Sequence, residues 1–157
     1  ILEKTSEDAG VLDSVCTVYS EEADVALFPG CGSSNIFRSE KKDDLLIQFT
    51  VPTEDVPARA GESICKLLKK NNLTKDDINM FCFSQYAFIN IRKIRENLGI
   101  SEEHSLYIGD EYGYTGTSSP FITLYEAVER GLVKRGDYIV IWTIGCGSEN
   151  IGLLCRY

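Results

Sequence analysis

The sequence predicts an α/β fold in which a layered, mostly parallel sheet of about five strands is covered by helices. Short apolar runs of strand length alternate along the chain with longer segments whose apolar residues recur at helical spacing. No internal repeat or low-complexity tract interrupts this order. With 157 residues, of which 43% are hydrophobic, the chain is long enough to bury one sizeable core. We therefore expect residues 1–157 to form a single domain.

The first half of the chain is expected to contain strands, a glycine-rich loop and one helix. Residues 1–3 and 11–19 are predicted strands that an acidic turn separates. Residues 28–34 have the composition of a glycine-rich loop, and the next strand is predicted at residues 45–49. Apolar residues three and four positions apart predict an amphipathic helix over residues 54–70.

A capping signal precedes the next strand and helix. Thr74 and Asp77 have the spacing of a short capping box, and the apolar residues 78–83 predict a buried strand. Residues 86–98 predict a helix whose outer surface is basic. Gly99 is expected to end this helix in a left-handed conformation.

The last third of the chain predicts one helix and two strands. Ser119 is expected to be the N-cap of the helix, with Pro120 at its first position and Gly131 at its end. Strands are predicted at residues 138–144 and 151–155, on either side of a loop. The residues of the helix that we expect to face inward are Ile122, Leu124, Tyr125 and Val128.

The charge of the chain argues against two broad classes of partner. Sixteen Lys and Arg against 24 Asp and Glu give a formal net charge of −8, so nucleic acid and anionic membranes would be repelled. The longest apolar run, residues 138–144, is far shorter than the ~20 residues that a membrane helix needs. The N-terminal residues lack a basic stretch, a long apolar stretch and an initiator Met, so we expect no targeting signal and a truncated start.

The cysteines and the single histidine predict neither a disulfide framework nor a metal site. The six cysteines show no Cys-x-x-Cys pair, and we expect reduced thiols in a cytoplasmic protein. They are Cys16, Cys31, Cys65, Cys82, Cys146 and Cys155. His104 lies in a polar turn, so a zinc site of the Cys/His type would lack ligands. No metal and no other cofactor is expected.

Five segments in a fixed order carry a resemblance to a known family. They are a strand followed by Ser84 and Gln85, a helix that ends in Leu-Gly, YIGDEYGYTGTSS at 107–119, RGLVKRGD at 130–137 and YIVIWTIGCG at 138–147. In order and spacing they resemble the C-terminal half of β-ketoacyl-acyl-carrier-protein synthase III, within the thiolase superfamily. The resemblance covers essentially the whole chain. It implies a thiolase-like half with one helix layer that packs on the other half of a larger enzyme.

The functional side chains of that family are changed at two of its motifs. Its His-Gln-Ala-Asn motif aligns with residues 84–87, which places Ser84 at the His position and keeps only the Gln. Its Tyr-Gly-Asn-Thr-Ser motif aligns with residues 112–116, which places Tyr114 at the Asn position. The resemblance also implies an oxyanion loop at Gly145, Cys146 and Gly147, where a backbone N–H would face a ligand oxygen.

These changes predict that the standard condensation is lost or altered. The resemblance implies a Cys nucleophile in the N-terminal half, with the His and the Asn as hydrogen-bond donors to the thioester oxygen. The hydroxyl of Ser84 has no pKa near neutrality, and Tyr114 is much bulkier than an amide. We expect this chain alone to have no condensing activity.

Each candidate residue also has a purely structural interpretation. Ser84 is either a hydroxyl nucleophile or the polar end of a strand, and no His or Lys lies beside it to activate the oxygen. Residues 145–147 either present a backbone donor or form only a turn. His104 is expected to be a solvated turn residue, and Cys31 an ordinary loop thiol.

A basic cluster on the second helix suggests a docking surface. Arg92, Lys93 and Arg95 lie on an otherwise acidic chain, and the resemblance places their helix near the mouth of the pantetheine tunnel. Complementary charge would steer an acidic acyl carrier protein to this helix. The alternative is a solvated helix face whose cations suit the C-terminal end of the helix dipole.

Two classes of function remain open at this point. The first is an acyltransferase of the ketoacyl synthase III type that uses acyl-CoA or acyl carrier protein. The second is a non-catalytic subunit that dimerises with an active ketosynthase and shapes its tunnel. Either would leave an apolar face and a sheet edge for the N-terminal half or another chain to cover.

Overall fold

The computed structural model describes residues 3–49, 56–145 and 149–157 of the chain. Its strands are β1 (Gly10–Val18), β2 (Ala26–Leu27), β3 (Gln48–Phe49), β4 (Met80–Phe83), β5 (Tyr138–Gly145) and β6 (Glu149–Arg156). Its α-helices are α1 (Val56–Lys70), α2 (Phe88–Leu98), α3 (Gly109–Tyr112) and α4 (Ser119–Glu129). None of the described helices is long and apolar enough to cross a membrane.

The main sheet is mixed. Its described strands lie in the order β1-β6-β5-β4, while β2 and β3 form a separate two-stranded ribbon. β4 and β5 are parallel, whereas β5 pairs with β6, and β6 with β1, in antiparallel fashion. The predicted α/β class is confirmed, but the prediction of a mostly parallel sheet is wrong. The connection between Gly145 and Glu149 is too short for a crossover, so β5 and β6 must run in opposite directions.

Helices cover both faces of the sheet, which corrects the prediction of one helix layer. α1 and α2 pack on one face and α4 packs on the other. β4 serves both cores because successive side chains of a strand point to opposite faces. Phe81 and Phe83 belong to the core under α1 and α2, whereas Met80 and Cys82 belong to the core under α4.

α4 meets the sheet through a different face from the one predicted. Its buried residues are Ser119, Pro120, Thr123 and Ala127. Ile122, Leu124 and Val128 are only half-buried, and the inward prediction for Tyr125 is wrong because its side chain is 57% exposed. The small side chains of Thr123 and Ala127 let the helix approach β4 closely, and the larger side chains flank this contact.

Two predicted caps are confirmed, and one predicted strand is shorter in the structure than expected. The capping box of Thr74 and Asp77 is present, and Gly99 ends α2 with a φ of 62°. The predicted strand at residues 45–49 is confined to Gln48–Phe49 because Lys42–Leu45 forms a short 3-10 helix. The predicted strand at residues 1–3 lies largely outside the described residues.

One carboxylate ties β1 to the end of α1. Asp13 accepts a hydrogen bond from Lys70 Nζ at 2.8 Å and another from Asn71 Nδ2 at 2.8 Å. The hydrogen bond from Lys70, followed by that from Asn71, lowers the pKa of Asp13 to about 2. Since the hydrogen bonds from Lys70 and Asn71 both favour the charged carboxylate, protonation of Asp13 weakens the link between strand and helix.

We expect this link to contribute stability that is lost in acid. The pKa of Asp13 is lower in the folded chain than the value of about 3.9 in an unfolded chain. The contribution is therefore fully present above that unfolded value and is lost as the pH falls through about 2. Urea denaturation across this pH range tests it: Asp13→Asn should lose less stability in acid than the unmodified chain. Equal losses in both proteins would contradict the assignment.

Candidate active site

Ser84 lies at the carboxyl ends of the two parallel strands. It follows β4 directly, and its backbone N–H donates to the carbonyl oxygen of Trp142 on β5 at 2.9 Å. The residue is 1% exposed, and its Oγ has no hydrogen-bond partner among the residues that the structure describes. A buried hydroxyl without a partner costs about 1–3 kcal/mol.

Gln85 fastens this strand end to the segment that leads into the next loop. Its Nε2 donates to the carbonyl oxygens of Phe83 at 3.0 Å and Leu106 at 3.3 Å. Its Oε1 accepts from the backbone N–H of Ile108 at 3.0 Å. The side chain is 2% exposed, so these bonds replace water entirely. Gln85 therefore positions the site and is not free to react.

Ser119 connects the same strand end to the loop that carries Tyr114. Its Oγ accepts from the backbone N–H of Gln85 at 3.1 Å and donates to the carbonyl oxygen of Gly116 at 2.8 Å. The N-cap of α4 is Ser118, so the predicted capping role of Ser119 is wrong. Its hydroxyl is used instead to hold two distant segments together. The sequence contains no local signal for this contact, because the two partners are far apart along the chain.

Tyr114 and Tyr86 form an aromatic pair at this site. Their ring centroids are 6.4 Å apart in an edge-to-face arrangement, and Tyr114 is 56% exposed. Asn90 Nδ2 donates to the hydroxyl oxygen of Tyr86 at 2.6 Å. Burial, with a smaller effect of Tyr114, raises the pKa of Tyr86 to about 12. Tyr86 therefore stays protonated at neutral pH and acts only as a hydrogen-bonding group.

The structure describes only part of the predicted oxyanion loop. Gly145 is the last residue of β5 and is exposed, and it pairs with Glu149 across the hairpin. Cys146 and Gly147 lie outside the described residues. The parallel pairing of β4 with β5 nevertheless puts Ser84 and Gly145 at the same edge of the sheet.

The predicted basic cluster is split by the structure. Arg92 and Lys93 are exposed, and Arg92 lies 3.7 Å from Glu96. Arg95 is only 6% exposed, so its assignment to an exposed docking surface is wrong. Its Nη1 donates to Glu102 at 2.9 Å and its Nη2 donates to the carbonyl oxygen of Ser105. Burial lowers the pKa of Arg95, an effect that Glu102 opposes.

The remaining candidates occupy ordinary structural positions. His104 is exposed in a short 3-10 helix, and its Nδ1 lies 3.0 Å from Ser101 Oγ. Cys31 is half-buried, and its Sγ donates to the carbonyl oxygen of Gly32 at 3.6 Å. Cys16, Cys31, Cys65, Cys82 and Cys155 are free thiols. Burial raises the pKa of Cys82 and Cys155, so both stay protonated and pack as apolar groups. Within the described ranges, no cluster of His, Cys, Asp and Glu could hold a metal ion.

Curated relatives of the chain share one name. The beta-ketoacyl-[acyl-carrier-protein] synthase III of Aquifex aeolicus is 31% identical over 99% of this chain and 55% of its own length. The protein of the same name from Aliarcobacter butzleri is 28% identical over 87% of this chain and 42% of its own length. The chain thus spans about half the length of the curated relatives it matches.

Solved structures show the same fold. The 3-oxoacyl-[acyl-carrier-protein] synthase III of Aquifex aeolicus has a TM-score of 0.80 at 21% identity, covering 98% of this chain and 46% of that chain. The synthase III of Thermus thermophilus has a TM-score of 0.79 at 23% identity, covering 98% of this chain and 48% of that chain. These likenesses show the predicted thiolase-like architecture.

A family model assigns the chain from its sequence. The model described as "3-Oxoacyl-[acyl-carrier-protein (ACP)] synthase III C terminal" matches residues 68–157, which include Ser84, Tyr114 and the strands β4 to β6. This match covers more than half of the chain and agrees with the relatives and the fold. The chain belongs to the 3-oxoacyl-[acyl-carrier-protein] synthase III C-terminal family.

Proposed function

We propose that this chain is the C-terminal part of an acyltransferase that acts on acyl-CoA or acyl carrier protein without the standard His and Asn donors. The observation that supports this most is the Ser84 hydroxyl, which is buried and has no described partner. It lies where the parallel strands β4 and β5 have their carboxyl ends. In the family that the chain resembles, the residue at this position is a His that donates to the thioester oxygen. A serine hydroxyl can still donate one hydrogen bond to such an oxygen.

The chemistry available at the site differs from decarboxylative condensation. That reaction generates negative charge that two well-placed donors must stabilise. Ser84 does not titrate near neutrality, and the pKa of Tyr86 is raised to about 12. Neither side chain changes its ionisation state near neutral pH, so neither replaces an imidazole as general acid or base. Transfer of an acyl group to an acceptor requires less, because a single donor already stabilises a developing oxyanion.

Exposed apolar surface supports a partner on the α4 side. Phe121 and Tyr125 of α4 are 54% and 57% exposed, although both are aromatic. Val11 and Val18 on the edge strand β1 are 62% and 61% exposed. Patches of this kind mark surfaces that other protein covers. We assign them to the N-terminal half of the same enzyme and to a second subunit of a homo- or heterodimer.

The exposed part of the basic cluster remains a candidate for carrier-protein docking. Arg92 and Lys93 point outward from α2, so they are accessible to an acidic carrier. The chain's net charge of −8 makes nucleic acid and anionic membranes poor partners. Free thiols on the described cysteines fit a reducing cytoplasmic environment.

A non-catalytic subunit is the second candidate function. The aromatic pair of Tyr86 and Tyr114 favours it, because two large rings stand where the family has small side chains. Such a subunit would keep the fold for dimerisation and would shape the tunnel of an active ketosynthase. It would not carry an acyl group itself.

Acyl transfer from radiolabelled acetyl-CoA to the full-length protein that contains this chain separates the two candidates. We expect the acetyl group to pass from CoA, which leaves as its free thiol, to the Cys nucleophile that the resemblance implies in the N-terminal half, and from that thioester to an acceptor. Ser84→Ala should slow turnover at least about tenfold, since it removes the donor to the carbonyl oxygen. Ser118→Ala is the matched control, because Ser118 is exposed and makes no described side-chain cap. Absence of any label, with stimulation of a separate ketosynthase, would instead support the non-catalytic subunit.

A further inference from the structure

The segment between β1 and α1 lies outside the main sheet and carries apolar side chains on its surface. We call residues 26–49, which include the ribbon of β2 and β3, the β2–β3 arm. Among the arm residues whose side chains the structure describes, only Pro29 is buried. Phe37 is 99% exposed and Phe28 is 77% exposed. The large apolar residues that the arm exposes are Phe28, Ile36, Phe37, Leu45, Leu46 and Ile47. A concentration of apolar surface of this kind marks a contact site.

Hydrogen bonds, and not an apolar core, hold the β2–β3 arm together. Beyond the pairing of β2 with β3, the backbone N–H of Gly30 donates to the carbonyl oxygen of Leu46 at 2.8 Å. The backbone N–H of Cys31 donates to the carbonyl oxygen of Asp44 at 2.9 Å. Ser39 Oγ donates to Asp44 Oδ2 at 2.7 Å. Since these bonds fix the backbone while the apolar side chains stay on the surface, the arm presents a preformed surface to a partner.

The start of the arm is fastened to the α1 side of the sheet. Arg59 of α1 donates two hydrogen bonds, of 2.8 Å and 2.7 Å, to the carboxylate of Glu22, which lies shortly before the arm. The exposed aromatic residues Phe121 and Tyr125 belong to α4, which packs on the other face of the sheet. A protein that covers α4 approaches from that other face. The apolar surface of the arm therefore needs a contact of its own.

The charge of the arm fits a second copy of the same chain. The whole chain carries a net charge of −8, so two copies repel each other on average. The arm is neutral, because it contains as many cations as anions. They are Arg38, Lys41 and Lys42 against Glu40, Asp43 and Asp44. Two copies therefore approach each other through this surface at a low electrostatic cost.

The order of the charges in the arm is complementary to itself. Residues 41–44 are Lys-Lys-Asp-Asp. In a contact with two-fold symmetry, residue i of one copy meets residue j of the other, and j meets i. When two arms meet in antiparallel fashion about an axis between Lys42 and Asp43, each lysine of this stretch faces an aspartate of the other copy. Lys41, Lys42 and Asp43 take part in no ion pair among the residues that the structure describes, so they are available for this contact.

We propose that the β2–β3 arm binds the same arm of a second copy of this chain, about a two-fold axis between Lys42 and Asp43. Phe37, Leu46 and Ile47 supply apolar surface to the contact, and the charges of residues 41–44 set its register. This inference specifies the second subunit of the proposed function as a copy of this chain. It does not depend on acyl transfer at Ser84.

Sedimentation equilibrium of the full-length protein tests the apolar part of the contact. We expect a dimer whose dissociation constant rises at least about tenfold in Phe37→Ala, because an aromatic side chain is lost from the interface. Phe37 is almost wholly exposed in the single chain, so its replacement leaves the fold intact. Phe88→Ala is the matched control: Phe88 is 46% exposed on α2, outside the arm, and its loss should leave the dimer unchanged. A monomeric full-length protein, or equal effects of the two substitutions, would overturn the proposal and leave acyl transfer at Ser84 untouched.

Charge reversal tests the two-fold axis itself. Lys42→Asp and Asp43→Lys each put like charges opposite one another, so each variant alone should dimerise at least about tenfold more weakly at low ionic strength. An equimolar mixture of the two variants should regain the affinity of the unmodified protein, because opposite charges then face each other again. Lys66→Asp reverses an exposed lysine of α1 outside the arm and should not weaken the dimer. A mixture that dimerises no better than either variant alone would place the interface elsewhere and overturn the proposal.

Discussion

Gln85→Ala is expected to lower the free energy of unfolding by about 3–5 kcal/mol. The substitution removes an amide that makes three side-chain hydrogen bonds, to Phe83, Leu106 and Ile108. It leaves buried carbonyl and N–H groups without partners, each of which costs about 1–3 kcal/mol. A loss of this size is a large fraction of the total free energy of unfolding of a typical domain, which is about 5–15 kcal/mol. Urea denaturation followed by circular dichroism measures it.

Asn90→Ala is the matched control for this prediction. Asn90 is also an amide near the site, but it is only half-buried and makes one side-chain bond, to Tyr86. Its loss should cost about 1 kcal/mol. If Gln85→Ala were no more destabilising than Asn90→Ala, the role of Gln85 as the anchor of the site would be wrong.

Restoration of both family donors is expected to have the largest effect on activity. In the full-length protein, Ser84→His together with Tyr114→Asn should raise condensation with malonyl carrier protein at least about 100-fold above either single change. The two donors act on the same developing charge, so restoring one alone restores little. Tyr114→Asn also removes a ring that packs on Tyr86. Acetyl-CoA-dependent product formation is the measurement.

The single variants and a stability check complete this experiment. Ser84→His places an imidazole at a position that is 1% exposed, so its unfolding transition must be compared with that of the unmodified protein. A folded double variant with no more activity than the single variants would show that the two substitutions are not what separates this site from a condensing one.

Helix positions were predictable because their signals are local. The periodicity of α1 and the glycine after α2 are both present within a few residues of the feature they predict. Strand direction depends on connection length, and the alternation of strands and helices suggested more parallel pairing than the short β5 to β6 connection permits. The same alternation does not reveal that α4 lies on the opposite face from α1 and α2.

For Arg95, residue type predicts exposure wrongly, whereas helical spacing places the residue on the buried face. It is four residues after Ile91 and three before Leu98, and all three are buried on one face of α2. Arginine is nearly always exposed, so a sequence argument assigns it to the surface. Its burial depends on Glu102 and the carbonyl of Ser105, which lie beyond the end of the helix. Such partners are set by the fold and not by the local pattern.

Tyr125 and Ser119 show the same limit at α4. The helix has apolar residues on more than one side, so periodicity does not identify the side that meets the sheet. Ser119 stands directly before Pro120, and that position is a usual one for an N-cap. Its hydroxyl nevertheless accepts a hydrogen bond from the backbone N–H of Gln85 in a distant segment. By contrast, the assignment of Ser84 and Tyr114 to the family's motif positions rests on motif order alone, needs no knowledge of the contacts and stays a prediction.

The most direct test of the altered site is decarboxylation of malonyl carrier protein by the unmodified full-length protein. We expect release of carbon dioxide no faster than in a protein-free control, because our proposal places Ser84 and Tyr114 where the two donors would be. A β-ketoacyl synthase III with the standard His and Asn, assayed in parallel, should decarboxylate the same substrate. Decarboxylation by the unmodified protein at a comparable rate, abolished by Ser84→Ala, would contradict this interpretation and make Ser84 a working residue of the condensing reaction.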